Sequence, residues 1–237
     1  MKNMAMKSFS LIILLFGFLW TAECSAAPIP EEGRIYLEVP EPAPTPIESG
    51  RQKIEEKYED GSVRLVRMVA KLSDDSYMNV GEYIEYYRNG QKFTEGTFSQ
   101  GVHEGPWTYW HPNGQVCKTV TYKGSKPHGQ WDVFLDDGTL MASKSYKEAK
   151  RDGTWKIYYR DGKQIRMEIT YKDGKIDGDR IMYYENGNKK GFMQFKNGKR
   201  SGKAIYWNED GEKSVEAEYE DGNIVGKINR YDENKKQ

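Results

Sequence analysis

Three histidines and one pair of aspartates come nearest to a chemical site in this chain of 237 residues. His103 and His128 occupy corresponding turns of neighbouring sequence repeats, so they could meet at one edge and hold a metal ion weakly. No cysteine or carboxylate stands at ligand spacing, and we interpret both, together with His111, as turn or strand-end residues. Asp74-Asp75 lacks the further ligands of a calcium loop.

Catalytic patterns are equally hard to find. The sequence contains no recognisable Ser-His-Asp, Cys-His or phosphate-cradling arrangement. Its 36 acidic residues permit accidental carboxylate pairs but single out none. We therefore predict a protein that is not an enzyme, with no catalytic residues, no cofactor and no metal.

The structural elements that would position such a site come from a sequence unit that is repeated along the chain. From Gly81 to the C-terminus, a unit of about 24 residues opens with glycine (position 1) and carries Asn-Gly or Asp-Gly at positions 9 and 10. An aromatic residue follows at position 18, one residue late in the unit that opens at Gly153. A fixed period of this size indicates one supersecondary unit stacked many times. The opening glycines are Gly81, Gly105, Gly129, Gly153, Gly178, Gly202 and Gly226.

Each unit has the pattern of a β-hairpin. Asn-Gly and Asp-Gly favour two-residue type I′ turns, and the flanking runs are rich in aromatic and β-branched residues. With such a turn, paired positions sum to nineteen, so Gly105 should face Tyr122, and the ring would cover the bare backbone of the glycine. In the unit of Gly153 we expect the extra residue to form a β-bulge on the second strand. The prediction is an all-β, elongated, open array of antiparallel hairpins, forming one continuous twisted meander sheet.

Alternation divides the rings between two faces. The rings at positions 3 and 18 share the face of the opening glycine. The rings at position 6 form a column on the opposite face, and we take them as the candidate binding surface, although packing against cross-strand neighbours explains single rings as well. This position-6 column is Tyr86, Trp110, Phe134, Tyr158, Tyr183 and Trp207.

The N-terminal part predicts export. Lys2 and Lys7, the uncharged apolar run from Phe9 to Trp20 and the small residues that follow indicate a signal peptide over residues 1–26. The run is shorter than the ~20 residues needed to cross a bilayer. Residues 27–50, rich in proline and glutamate, predict an extended linker. Residues 51–80 predict a degenerate capping hairpin that turns at Asp60-Gly61, and residues 81–237 the repeat domain, with six full units and a partial one.

The charge balance limits the possible partners, and the cysteine content limits the possible disulfides. The chain has 36 basic and 36 acidic residues, and this balance argues against nucleic acid. Removal of the signal would take Cys24 with it, so we do not expect disulfides to hold the fold. We expect Cys117 to be a half-buried thiol on a strand.

The repeat resembles a known family. The pattern G-x-W-x-x-Y/F-x-x-N/D-G, an aromatic eight residues later and then K-x-G is similar to the bacterial variant of the MORN repeat, and most similar to the YwqK-type family, whose members are labelled toxin–antitoxin system antitoxins. This resemblance covers about 150 residues, from Gly81 to Tyr231. It implies an open array of hairpins without catalytic residues. Arg180 and Ala204 replace the usual tryptophan.

Two functions follow as hypotheses. The first is an exported, periplasmic or extracellular protein-interaction scaffold, antitoxin-like by resemblance, which binds another envelope or secreted protein. The second is a glycan- or cell-wall-binding module that stacks the position-6 rings on sugars, since Gly-x-Trp-x-x-Tyr also resembles choline-binding and related cell-wall repeats. Neither hypothesis involves nucleic acid or a transmembrane segment in the mature chain.

Overall fold

A computed structural model describes residues 46–231 of the chain. These residues form sixteen β-strands, all antiparallel, in one open sheet. The strands lie side by side in chain order, except that the two-residue β9 is a short continuation of the arm formed by β10. This confirms the predicted open array of hairpins. The strands are β1 (Pro46–Lys57), β2 (Val63–Leu72), β3 (Tyr77–Tyr86), β4 (Lys92–Ser99), β5 (Val102–Trp110), β6 (Val116–Lys123), β7 (Lys126–Phe134), β8 (Leu140–Lys147), β9 (Lys150–Arg151), β10 (Gly153–Tyr158), β11 (Ile165–Lys172), β12 (Lys175–Tyr183), β13 (Lys189–Lys196), β14 (Lys199–Trp207), β15 (Lys213–Glu220) and β16 (Asn223–Arg230).

The N-terminal hairpin precedes the repeats. Strands β1 and β2 pair, and the chain turns between Tyr58 and Ser62, whose backbone groups are hydrogen-bonded. Strand β1 begins at Pro46, within the segment expected as linker. The predicted signal peptide and residues 27–45 lie outside the described residues. Across residues 46–231, no helix is long and apolar enough to cross a membrane.

The predicted register is confirmed. Gly105 pairs with Tyr122, Gly202 pairs with Tyr219, and the other complete units show the same pairing of opening glycine and aromatic. The reason for the glycine differs from the one expected. A Cβ atom built on Gly105 would meet nothing within 4 Å, but its φ is +73°. The glycine is therefore required by its left-handed backbone and not by a covering ring.

The predicted turn type at Asn-Gly is wrong. The N–H of Gly114 donates to the carbonyl of His111 at 2.9 Å, Gly114 has a φ of +85°, and Asn113 is not among the residues with positive φ. This is a type I turn followed by a left-handed glycine, a common three-residue hairpin loop. Asn113 is favoured because its Oδ1 accepts the N–H of Gln115 at 3.0 Å. A bulge at Cys117 then restores the register sum of nineteen.

Type I′ turns occur instead between the units. Both central residues have positive φ in all six return turns of the repeat domain, for example 52° and 85° at Asn197-Gly198. Five of these turns contain glycine, and the exception is Glu148-Ala149. The six pairs are Gln100-Gly101, Gly124-Ser125, Glu148-Ala149, Asp173-Gly174, Asn197-Gly198 and Asp221-Gly222.

The extra residue of the unit of Gly153 lies in the turn and not on the strand. The N–H of Tyr159 bonds the carbonyl of Gln164, one residue further than in the other units, so Lys163 is accommodated before β11 begins at Ile165. The prediction that the extra residue forms a β-bulge on the second strand of this unit is therefore wrong. A turn accepts the insertion more easily because it breaks no strand pairing.

The hydrophobic core lies on the face of positions 3 and 18, which we call the aromatic face. Its centre is a cluster around Trp107, which is 2% exposed. Trp107 lies against the backbone of Gly96, where a Cβ atom would come within 2.1 Å of the indole ring, so here a ring does require a glycine. Cys117 belongs to this cluster and is 1% exposed, more deeply buried than expected. It is disulfide-bonded, so the expectation of a free thiol and of a fold without disulfides is wrong. The cluster is Phe98, Trp107, Tyr109, Cys117, Val120 and Trp131.

Candidate binding surface

The position-6 column is present on the sheet. Each of its six residues ends the first strand of a hairpin and is half-buried. Consecutive members lie two strands apart, at about 10 Å for strands of ordinary spacing. Within the described residues, no ring contact joins one member to another. The column is thus a row of separate rings, in contrast to the paired rings of the aromatic face.

Charged groups lie beside this column. The ammonium of Lys92 is 5.5 Å from the ring centroid of Trp110 and pairs with the carboxylate of Glu95. The hydroxyl of Tyr183 donates to Glu168 at 3.2 Å, and Glu168 also pairs with Lys156 at 3.8 Å. Rings alternating with ion pairs offer both apolar contact and hydrogen bonding to a bound molecule.

A second row, at position 7, was not foreseen from the sequence. The hydroxyl of Tyr87 donates to the carbonyl of Trp110 at 2.8 Å, and Tyr159 bonds Tyr183 in the same way at 2.6 Å. Each bond connects one hairpin to the next and holds the backbone of a position-6 residue. This row could have been found from the sequence by the aromatic residue that directly follows position 6. The donors are Tyr58, Tyr87, Tyr159 and Tyr184, and His111 has its Nε2 3.1 Å from the carbonyl of Phe134.

Asparagine at position 9 adds a bond between neighbouring turns. The side-chain amide of Asn113 donates to the carbonyl of Asp136 at 2.6 Å, and that of Asn186 donates to Glu209 at 3.0 Å. Aspartate has no N–H and cannot make this bond. An Asn-Gly turn can therefore be bonded to the next turn through its position-9 side chain, whereas an Asp-Gly turn cannot.

The aromatic face carries cations among its rings. The ammonium of Lys118 lies 4.2 Å from the ring centroid of Tyr109 and 5.6 Å from that of Trp131. The ammonium of Lys144 lies 5.4 Å from the ring of Trp155. Burial, with the charge of Lys144 as a smaller cause, lowers the pKa of Lys118 to about 8, and burial also lowers the pKa of Lys144. Such ammonium–ring contacts stabilise a partly desolvated charge by about 0.5–2 kcal/mol.

The histidines have structural positions. The ring of His103 lies 4.3 Å from that of Trp107 and 4.5 Å from that of Phe98, and burial lowers its pKa. The Nδ1 atom of His128 is buried without a hydrogen-bond partner. In the part of the chain from residue 46 to 231, no three histidine, cysteine or acidic side chains cluster in a way that could hold a metal.

Comparison with known proteins identifies the repeat. The family model described as the MORN repeat variant matches residues 79–100, 104–123, 151–173 and 176–199. These ranges fall on the hairpins of β3–β4, β5–β6, β9–β11 and β12–β13. The intervening hairpin of β7–β8, which is not matched, has the same pairing of opening glycine and aromatic. No curated protein matches the chain.

Proposed function

We propose that this MORN-repeat protein is an exported, non-catalytic scaffold that binds another protein through the position-6 column. The supporting observation is the row of half-buried rings, separate from one another and flanked by ion pairs, along a sheet that spans the whole repeat domain. Tyrosine and tryptophan are enriched where interfaces concentrate their binding energy. An open array also distributes contacts over several similar units.

Export and the partner class are supported by the sequence. The signal-like residues 1–26 direct the chain to the periplasm or the exterior, where the partner would be an envelope or secreted protein. The resemblance to the YwqK-type family supports a narrower proposal, that the partner is an exported toxin which the scaffold neutralises.

A pull-down from envelope and secreted fractions tests the scaffold. The double variant Trp110→Ala/Trp207→Ala removes two rings of the column, and Tyr77→Ala, which removes an exposed ring outside it, is the matched control. We expect the double variant to lose about tenfold or more in affinity, since two interface rings are worth at least ~1.4 kcal/mol. Equal recovery of the same protein by wild type and double variant would contradict the proposal, provided the variant keeps the circular dichroism of the wild type.

Glycan binding is the second candidate. It is favoured by one observation, the absence of ring contacts within the position-6 column, since a sugar stacks on a ring that no other ring covers. A glycan array and a peptidoglycan pull-down with the same three proteins distinguish the candidates. Sugar retention by wild type and Tyr77→Ala but not by the double variant supports the glycan module, and no retention by any of them excludes it.

A further inference from the structure

Arg180 carries a charge on the aromatic face at a place where earlier units carry a ring. It stands at position 3 of the unit of Gly178, the position that Trp107 holds in its own unit. On the two neighbouring strands it lies opposite Ile169 and Met193, and both are buried. The Arg180 side chain, which is itself half-buried, therefore belongs to an apolar part of the sheet.

The guanidinium of Arg180 has unused hydrogen-bonding capacity. Its Nε atom is buried without a hydrogen-bond partner. Within residues 46–231, its Nη2 atom contacts the Sδ atom of Met182 at 3.7 Å, and a thioether is only a weak acceptor. Two sides of this planar donor group are therefore available to a stronger acceptor.

The carboxylates nearest to Arg180 point elsewhere. Asp179 is adjacent in sequence, so alternation along β12 places it on the opposite face. Glu168 lies on the neighbouring strand and accepts a hydrogen bond from Tyr183, in the position-6 column. Among the described residues, no carboxylate pairs with Arg180. A half-buried charge without a counter-charge is unfavourable, and a carboxylate with two oxygens matches the fork of guanidinium donors.

Apolar side chains lie beside this guanidinium. Gly191 leaves room for two of them, because a Cβ atom there would lie 2.5 Å from the methyl carbon of Met182 and 3.3 Å from the ring of Tyr206. The hydroxyl of Tyr206 lies 3.7 Å from the Sδ atom of Met193. Methionine side chains adapt to ligands of different shape. These three residues, Met182, Met193 and Tyr206, form a methionine patch that offers apolar contact to a group attached to the carboxylate.

We propose that Arg180 and the methionine patch bind the C-terminal carboxylate of a polypeptide whose last residue is apolar. Such a chain end carries the carboxylate and the apolar side chain on the same carbon atom, and chain-end carboxylates are a recurring target of peptide recognition. A fatty acid would need an enclosed apolar tunnel, whereas this patch lies on the face of an open sheet. The site is independent of the proposed function, which uses the opposite face.

Titration of the full chain with two synthetic peptides tests the site. Both have the sequence acetyl-Ala-Ala-Phe, but one ends in a free carboxylate and the other in a carboxamide, so they differ only in the group that Arg180 would bind. In a protein with isotope-labelled methionine methyl groups, the free acid should shift the NMR signals of Met182 and Met193. The carboxamide should bind about tenfold more weakly or worse, since it loses the charge-assisted pair. Decanoate is the third probe, and binding as tight as that of the free acid would overturn the assignment to a chain end.

Variants at residue 180 separate binding from folding. Arg180→Leu should weaken binding of the free acid by about tenfold or more. Arg180→Lys, which keeps the charge but not the fork of donors, should weaken it less. The matched control is Lys203→Gln, which removes a cation from the opposite face of β14 and should bind as the wild type does. Because Arg180→Leu removes a guanidinium whose Nε atom is unpaired, its Tm should equal or exceed that of the wild type.

The comparison of the two peptides uses the wild-type protein, so it remains decisive even if a variant fails to fold. Equal affinity for the carboxylate and the carboxamide would overturn the proposal, as would unchanged affinity of Arg180→Leu for the free acid. A lower Tm of the folded Arg180→Leu variant would mean that the guanidinium already has a partner within the fold, and this too would overturn it.

Discussion

Replacing Ala149 by glycine should stabilise the sheet. Ala149 has a φ of +66° in the return turn between β8 and β9, and the adjacent Glu148 also has a positive φ. A left-handed conformation costs a residue with a Cβ atom about 1–2 kcal/mol. The greater freedom of glycine in the unfolded chain takes back about 0.4–1 kcal/mol. We therefore expect Ala149→Gly to raise the free energy of unfolding by about 0.5–1 kcal/mol.

The substitution leaves the surrounding hydrogen bonds intact. The N–H of residue 149 donates to the carbonyl of Pro127 at 2.8 Å, and glycine keeps this donor. Thermal unfolding should show a rise in Tm of about 1–4 °C, because 1 kcal/mol corresponds to roughly 2–4 °C for a domain of this size. Because stability in a repeat array is partly local, hydrogen exchange at Lys147 and Lys150 should slow as well.

The matched control is the reverse change in the next return turn. Gly174 has a φ of +86°, and a Cβ atom there would meet only Lys150 at 4.0 Å, so Gly174→Ala tests backbone strain without a steric clash. We expect it to lower stability by about 1 kcal/mol. If Ala149→Gly destabilised the protein, or if Gly174→Ala had no effect, the assignment of type I′ turns between the units would be refuted.

Three further predictions concern the core, the inter-hairpin bonds and pH. Gly96→Ala should destabilise the protein by about 1–3 kcal/mol and shift its tryptophan fluorescence, because a methyl group cannot fit beneath Trp107; unchanged stability and emission would contradict this packing. Tyr159→Phe should lower the free energy of unfolding by about 1 kcal/mol and speed hydrogen exchange near Tyr183, since it deletes one inter-hairpin bond; wild-type exchange rates would argue against the bond. Burial lowers the pKa of His103, so the unfolded state binds its proton first and the free energy of unfolding should fall as the pH drops below about 6.5. In thermal melts at several pH values, His103→Phe should show a shallower decline than the wild type. An equally steep decline would exclude His103 as its cause.

The sequence was sufficient for the fold and its register. The glycines and aromatics recur at a fixed spacing, and a hairpin pairs residues by their distance from one turn, so Gly105 opposite Tyr122 could be predicted without coordinates. The position-6 column followed from alternation along the strand. The turn type did not follow, because Asn-Gly favours two different turns, and only the φ of the asparagine distinguishes them. The three-residue loop lowers the sum of paired positions by one, and the bulge at Cys117 raises it again by one. The predicted register is therefore correct although the predicted turn type is wrong.

Contacts between units could not be predicted from the sequence. The bond from Tyr87 to Trp110 joins residues 23 apart, and its acceptor is a backbone carbonyl, which every residue possesses. The burial of the Lys118 and Lys144 ammonium groups is likewise a property of several strands, since it depends on which side chains three-dimensional pairing places around them. The sequence period determines the strands, the register and the two faces of a single hairpin. The electrostatics and hydrogen bonding of a surface depend on neighbours that only the assembled sheet brings together.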